Sequence, residues 1–362
     1  MTNPAWDPTA FRTEVQATLD AFLATQTTRL APLGDDAARL LAEARVTVSG
    51  GKRFRAAFCH WGYAALAGAP TGADAEAVRR AAASLELLHA SALVHDDLMD
   101  ASDTRRGRAA THRAFEAEHR SDGWRGQPQQ YGAAAAILLG DLLLSWSDEL
   151  LRHCGLGWDR VGPALDVFDL CRSEVIAGQF LDVSVQARGR ASVEQAMTVL
   201  RYKSAKYSIE RPIHVGAALA GADAATLDLL TAFGLPLGEA FQLRDDVLGV
   251  FGDPATTGKP AGDDLVEGKR TVLVAMALDA APEADAARLD AALGTALSED
   301  EVAGLRTIID GCGALAQVDT LIDELADQAI AALRRGQAEA GWDAEACGVL
   351  EQLAAAATRR AY

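Results

Sequence analysis

The sequence lacks paired cysteines, an excess of positive charge, strand-like alternation and any long apolar run, and each absence excludes something. Its five cysteines, Cys59, Cys154, Cys171, Cys312 and Cys347, show no CxxC spacing. That argues against a zinc site or a disulfide framework and fits a reduced cytoplasm. Basic residues are outnumbered by acidic ones, 34 to 51, and the formal charge of −17 would repel nucleic acid and anionic membrane surfaces. No uninterrupted apolar stretch approaches the ~18–20 residues of a membrane span. Met1-Thr2-Asn3-Pro4 has neither the basic start nor the apolar stretch of a signal peptide. A soluble, cytoplasmic protein is expected, with no nucleic-acid partner and no stable membrane anchor. Val, Ile, Tyr and Phe never alternate over a strand-length run, so the chain does not read as β.

What is present is helical. Long Ala- and Leu-rich stretches, broken by Gly, Asp and Arg, predict an all-α protein, read as one domain over residues 1–362 with a loose lead-in over 1–12. Apolar positions recur at helical spacing from Phe11 to Ala31 and from Asp35 to Arg45, with Pro32 and Gly34 between them and Gly50-Gly51 after. Arg120 to Gln130 reads as a surface loop and Gly252 to Gly268 as a second irregular segment, neither of them a domain linker. The alanine run Ala133 to Ala136 predicts close helix packing.

The first concentration of chemistry is Leu93-Val94-His95-Asp96-Asp97-Leu98-Met99-Asp100, followed by Asp103 and Arg105-Arg106-Gly107. On a helix, Asp96 and Asp100 lie one turn apart on one face, with Asp97 adjacent, and such carboxylates repel each other. A solvated helix end carries clusters like this too. The apolar run before it, Ala90 to Val94, instead suggests a helix packed on most faces. Magnesium suits the cluster, because it takes one or two carboxylates together with phosphate oxygens. The downstream arginines add planar donors for phosphate.

A second acid pair closes another apolar helix in Phe241-Gln242-Leu243-Arg244-Asp245-Asp246-Val247-Leu248-Gly249. The stretch after it contributes Gly252-Asp253-Pro254, Gly258-Lys259, Asp263, Asp264, Lys269, Arg270 and Thr271. If the two helices face each other, several Mg²⁺ ions can bridge them to one diphosphate. An acidic protein would then receive an anion through metals rather than through its net charge.

Together with Gly51-Lys52-Arg53-Phe54-Arg55, these motifs resemble the trans-isoprenyl diphosphate synthase (polyprenyl synthetase) family, in order and at family spacing from about Gly50 to Thr271. Phe251-Gly252-Asp253-Pro254 and Gly258 to Asp264 are most similar to the bacterial geranylgeranyl diphosphate synthases. The resemblance implies a helical bundle around a central cavity and a homodimer. It also implies Mg²⁺-dependent, head-to-tail joining of isopentenyl diphosphate to an allylic diphosphate.

By the same resemblance, Asp96 and Asp100 hold two Mg²⁺ ions and Asp245 a third, with Asp97 and Asp246 as supporting acids of the metal set. Gln179, Asp182 and Asp264 support the cluster. Arg105, Lys203, Lys259 and Lys269 meet the allylic diphosphate. Isopentenyl diphosphate carries no metal in this family, and Lys52, Arg55, Arg106 and His89 match its pocket. His95 is read as structural. Ionisation gives an allylic carbocation, the isopentenyl double bond attacks it, and a proton is lost to the released diphosphate. Ser204, where the family usually has threonine, and Gln242 present oxygens towards the cation.

One departure stands out: Gly249 lies where many members carry a third aspartate. Asp253 is not expected to replace it, and Asp245 remains the expected ligand. Product length depends on side chains beneath the first motif. Ser91 and Ala92 are small where short-chain members often carry an aromatic plug, and Leu88 lies a turn deeper. A twenty-carbon product is expected, with longer chains or a fifteen-carbon one as alternatives. A class I terpene cyclase would need no Lys52, Arg55 and Arg106 pocket, and a non-catalytic subunit of a heteromeric synthase would usually lack one of the acidic motifs.

Overall fold

The computed structural model describes residues 6–252 and 262–359. Among the described residues, the fold is all-α apart from one short hairpin. The chain forms two compact units, Met1–Leu165 with Val215–Gly221, and Asp166–His214 with Ala222–Tyr362.

The first unit contains α1 (Pro8–Leu30), α2 (Asp35–Thr47), α3 (Phe54–Ala67), α4 (Gly72–Met99), α5 (Thr111–Ser121) and α6 (Pro128–Arg152). Parts of α7 (Trp158–Arg188) and α9 (Arg211–Leu219) complete it. α1 starts at Pro8, so the expected lead-in to residue 12 is too long. The Asp7 carboxylate accepts from the backbone N–H groups of Thr9 and Ala10 at 2.8 and 3.1 Å, and Pro8 takes the position where a missing N–H costs nothing. The loop expected over Arg120–Gln130 narrows likewise to residues 122–127.

α4 is the buried axis of this unit. Every residue from Ala81 to Leu88 is buried, so the helix is covered all round, with α1, α3, α5 and α6 as its neighbours. Closeness between α4 and α6 comes from glycine rather than from the alanine run. A Cβ on Gly140 would overlap the His95 ring, and one on Gly132 would overlap the backbone of α5 at His112. Of the alanines, Ala136 is buried but Ala134 faces outward. Gly216 in α9 is packed just as tightly on α3: a Cβ there would overlap the Cys59 carbonyl oxygen and lie 2.9 Å from the Tyr63 nitrogen.

The second unit contains the rest of α7, α8 (Val193–Val199), a π-helix over Leu200–Glu210, α10 (Ala224–Phe251) and the single turn α11 (Asp263–Val266). It continues with α12 (Val272–Ala280), α13 (Glu283–Ala292), α14 (Glu299–Gly311), α15 (Ala314–Ala340) and α16 (Ala344–Thr358). Its core gathers Leu243, Val247 and Val250 of α10 with Leu265, Leu273, Ile309 and Val318. α10 packs along both α15 and the π-helix.

Gly216→Ala is expected to lower the unfolding free energy by roughly 1–3 kcal/mol, the usual cost of overpacking against backbone that cannot yield. Gly348 in α16 has open space around its Cβ position and no positive φ. Gly348→Ala should therefore be neutral or stabilising by up to ~1 kcal/mol through helix propensity. Urea unfolding of the two variants measures the contrast.

Candidate active site

Asp96, Asp97 and Asp100 come at the C-terminal end of α4, where the helix dipole is negative and carboxylates are least welcome. Asp97 is buried and relieved locally: Arg105 donates from Nε to Oδ1 at 2.8 Å and from a second nitrogen to the same oxygen. Asp96 and Asp100 are half-buried, and the Arg105 guanidinium lies 3.9 Å from Asp96. Asp103 turns away to Arg113, which donates to it at 2.8 Å. Among the described residues, no three His, Cys, Asp or Glu side chains gather tightly enough to hold a metal ion by themselves. Two carboxylates one turn apart on a helix fit a hard dication that draws its remaining oxygens from phosphate and water.

Arg105 and Arg106 are delivered by a hairpin, Thr104–Arg105 paired with Arg108–Ala109. Its two-residue turn, Arg106-Gly107, has positive φ at both positions, 52° and 74°. This is the sign that a tight hairpin turn requires, and it is unusual for arginine. The Arg106 guanidinium donates to the Ser49 carbonyl at 2.8 Å and rests against Gly51, where a Cβ would come within 3.2 Å of it. Arg53, which the sequence reading gave no role, is buried in a left-handed backbone conformation (φ 58°). It donates to Glu86 at 3.0 Å and to the Gln16 and Val48 oxygens at 2.5 Å each. Burial, followed by the nearby charges of Arg55, Arg106, Arg105 and Arg53, holds the His89 pKa well below its usual value. His89 is therefore a neutral imidazole among guanidiniums. Arg55, Arg106 and His89 thus come together, and Lys52 is exposed on the loop that precedes Arg53.

Down α4 from the acids, Ala92 and Leu88 follow Asp96 at one-turn intervals. Leu88 and Ser91 are buried and Ala92 is half-buried.

In the second unit, glycines set the π-helix in place. A Cβ on Gly178 of α7 would come within 2.5 Å of the Tyr202 carbonyl carbon, and one on Gly238 of α10 within 2.5 Å of the Ala205 oxygen. The π-helix presents Lys203 to Asp182 of α7, with Nζ 2.5 Å from Oδ2. Ser204 and Gln179 are half-buried nearby in sequence. Wide helical turns of this kind recur at functional sites.

On α10, Asp246 is buried and accepts a hydrogen bond from the Gln242 amide nitrogen at 2.8 Å. Burial pushes its pKa well up; the Gln242 bond opposes that, and the charges of Asp264 and Asp245 add to the rise. A dication would relieve this crowding, so the acids of this helix also fit magnesium. Asp245 is half-buried, and its neighbour Arg244 points elsewhere, donating to the Thr358 carbonyl at 3.1 Å and pairing with Asp319 at 2.9 Å. Lys269 pairs with Glu267 and lies 3.6 Å from Asp264. A Cβ on Gly249 would overlap Asp264 Oδ2 and Cγ. Lys259 and Asp253 lie outside the described residues.

The chain is similar to known proteins over most of its length. The polyprenyl synthetase family model matches residues 38–310. The chain is 34% identical over 252 residues to the (2E,6E)-farnesyl diphosphate synthase of Mycobacterium tuberculosis, covering 68% of this chain and 65% of that protein. It therefore spans just under two thirds of that relative's length. To the geranylgeranyl diphosphate synthase of the same organism it is 35% identical over 289 residues, 79% of this chain and 75% of the relative. Among solved structures, geranylgeranyl pyrophosphate synthase from Corynebacterium glutamicum, complexed with isoprenyl diphosphate and magnesium, superposes with a TM-score of 0.92 at 39% identity. That similarity covers 98% of this chain and all of the other. With the family model matching most of its length, the chain belongs to the polyprenyl synthetase family.

Proposed function

We propose that the protein is a magnesium-dependent prenyltransferase that condenses isopentenyl diphosphate with an allylic diphosphate, giving geranylgeranyl diphosphate, with both units working as one catalytic domain. The reading is carried by one observation: the chain has two kinds of anion-handling equipment. Acids at the ends of α4 and α10 call for dications, whereas Arg55, Arg106 and neutral His89 can hold a second diphosphate without any. A terpene cyclase has no use for the second set. The resemblance to solved and curated geranylgeranyl diphosphate synthases supports the twenty-carbon product.

In this reading Asp96, Asp100 and Asp245 hold three Mg²⁺ ions, braced by Asp97 and Asp246. When bound, magnesium neutralises charge on the departing diphosphate. Arg105, Lys203, Lys259 and Lys269 hold that group and follow its charge as the C–O bond of the allylic substrate breaks. Lys52, Arg55, Arg106 and His89 orient isopentenyl diphosphate so that its double bond meets the allylic cation. Ser204 and the Gln242 amide oxygen stabilise the cation, Gln179, Asp182 and Asp264 steady the surrounding cations, and a proton leaves to the released diphosphate. The cytoplasmic setting expected from the cysteine pattern belongs to the same proposal. Among the described residues, no helix is long and apolar enough to cross a membrane.

A homodimer belongs to the same proposal. Ile176, Phe180 and Val183 form an exposed apolar stripe at one-turn spacing along α7, with Phe180 71% exposed. A second copy of the chain covers that stripe.

The deciding assay gives the purified chain Mg²⁺, isopentenyl diphosphate and each allylic primer in turn, with chain-length analysis of the dephosphorylated products. No consumption of isopentenyl diphosphate would sink the proposal. Asp245→Ala is expected to lower turnover by roughly 10²-fold or more, and Asp253→Ala by no more than about threefold, since only Asp245 acts as a ligand. Equal losses would refute that division. Ser91→Phe should shift the product from twenty carbons to fifteen, and an unchanged product would show that the tail does not run beside α4. Phe180→Asp should convert the dimer to monomer in analytical ultracentrifugation.

A further inference from the structure

The two acidic motifs share a frame that only one of them fills. Asp96, Asp97 and Asp100 occupy the first, second and fifth places of an i, i+1, i+4 pattern. Asp245 and Asp246 occupy the first two places of the same pattern, and the fifth is Gly249. On a helix that fifth place lies one turn beyond Asp245 on the same face.

That place is not vacant. A Cβ built on Gly249 would overlap Oδ2 and Cγ of Asp264 and lie 3.0 Å from Oδ1, so the Asp264 carboxylate occupies the space that a side chain at 249 would need. Asp264 is held there firmly. It is the second residue of the single turn α11, which is entered through the left-handed Gly262 (φ 76°), and its neighbour Leu265 is fully buried in the core of the second unit. The Asp264 carbonyl accepts from the Lys269 N–H at 2.9 Å, and the Leu265 carbonyl accepts from the Gly294 N–H at 3.0 Å. Lys269 Nζ is 3.6 Å from the carboxylate. Asp264 itself is 8% exposed.

We propose that Gly249 and Asp264 are a reciprocal pair: glycine clears the fifth place of the second motif, and Asp264 supplies the third carboxylate there from another segment. The inference rests on the prenyltransferase reading for the use of that carboxylate, but the steric pairing stands on geometry alone. Gly249 is then not a degraded position. Returning an aspartate to it would expel Asp264 instead of completing the motif, and even a methyl group would do the same.

The test uses full-length protein and two readouts: thermal stabilisation by Mg²⁺ with inorganic diphosphate, and the Mg²⁺ dependence of isopentenyl diphosphate consumption. Asp264→Asn keeps the shape and removes the charge, and it should raise the Mg²⁺ concentration for half-maximal stabilisation by roughly tenfold or more. Gly249→Ala and Gly249→Asp should each produce a rise of similar size. Gly249→Asp combined with Asp264→Ala should need at least about fivefold less Mg²⁺ than Gly249→Asp alone, because the two residues compete for one space. An unchanged Mg²⁺ requirement in Asp264→Asn overturns the proposal, whatever the glycine variants do. So does a double variant no better than Gly249→Asp. Should the wild-type chain consume no isopentenyl diphosphate while the stabilisation shifts appear as stated, the catalytic reading falls and the pair survives.

Discussion

Carboxylates confined close together, partly withdrawn from water, are the constraint on which the rest of this structure depends. In both acidic motifs the chain answers it in the same way. The second acid of each is buried and tied to a local donor, Asp97 to Arg105 and Asp246 to Gln242. The first acid of each is left half-buried. A tethered acid contributes negative potential without swinging out to water, and the first acid of each pair stays more open to solvent. The electrostatic load that results is tolerable only near positive charge.

The scaffold that carries these groups is built by close backbone approach. Gly140 admits the His95 ring between α4 and α6, whose Nε2 lies 3.2 Å from the Ile137 carbonyl, and this fixes the rotation of α4 next to Asp96. Gly178 and Gly238 admit the π-helix, which sets Lys203 against Asp182. Each of these glycines has ordinary helical φ, so what they provide is missing volume rather than conformational freedom. A methyl group in any of them would move a helix that carries part of the candidate site.

Local spacing made much of this legible. The acid pairs, the arginines after the first motif and the helical periodicity were all readable, because each depends on residues within a turn or two of one another. The start of α1 was readable as well, since an aspartate followed by proline is a strong capping signal, yet a search for apolar periodicity passes over it. Other features were beyond local reading. The π-helix leaves no composition signature in Leu200–Glu210. The hairpin at Arg105 has strands of two residues, too short to alternate. The burial of Arg53 depends on Glu86, 33 positions away, and the space beside Gly249 is filled from 15 positions downstream. A gap in a motif can be seen in the sequence. What fills it is a matter of tertiary structure.

The neutral state of His89 has a consequence for how the cationic pocket responds to its surroundings. An ordinary histidine changes charge near neutrality, at a pKa of about 6.5, and would make the pocket a sensor of acidity. Surrounded by guanidiniums that do not titrate in that range, His89 stays a dipolar donor as pH falls through neutrality. The charge that Arg55, Arg106 and His89 present in the ligand-free protein therefore does not rise as the medium is acidified through neutrality.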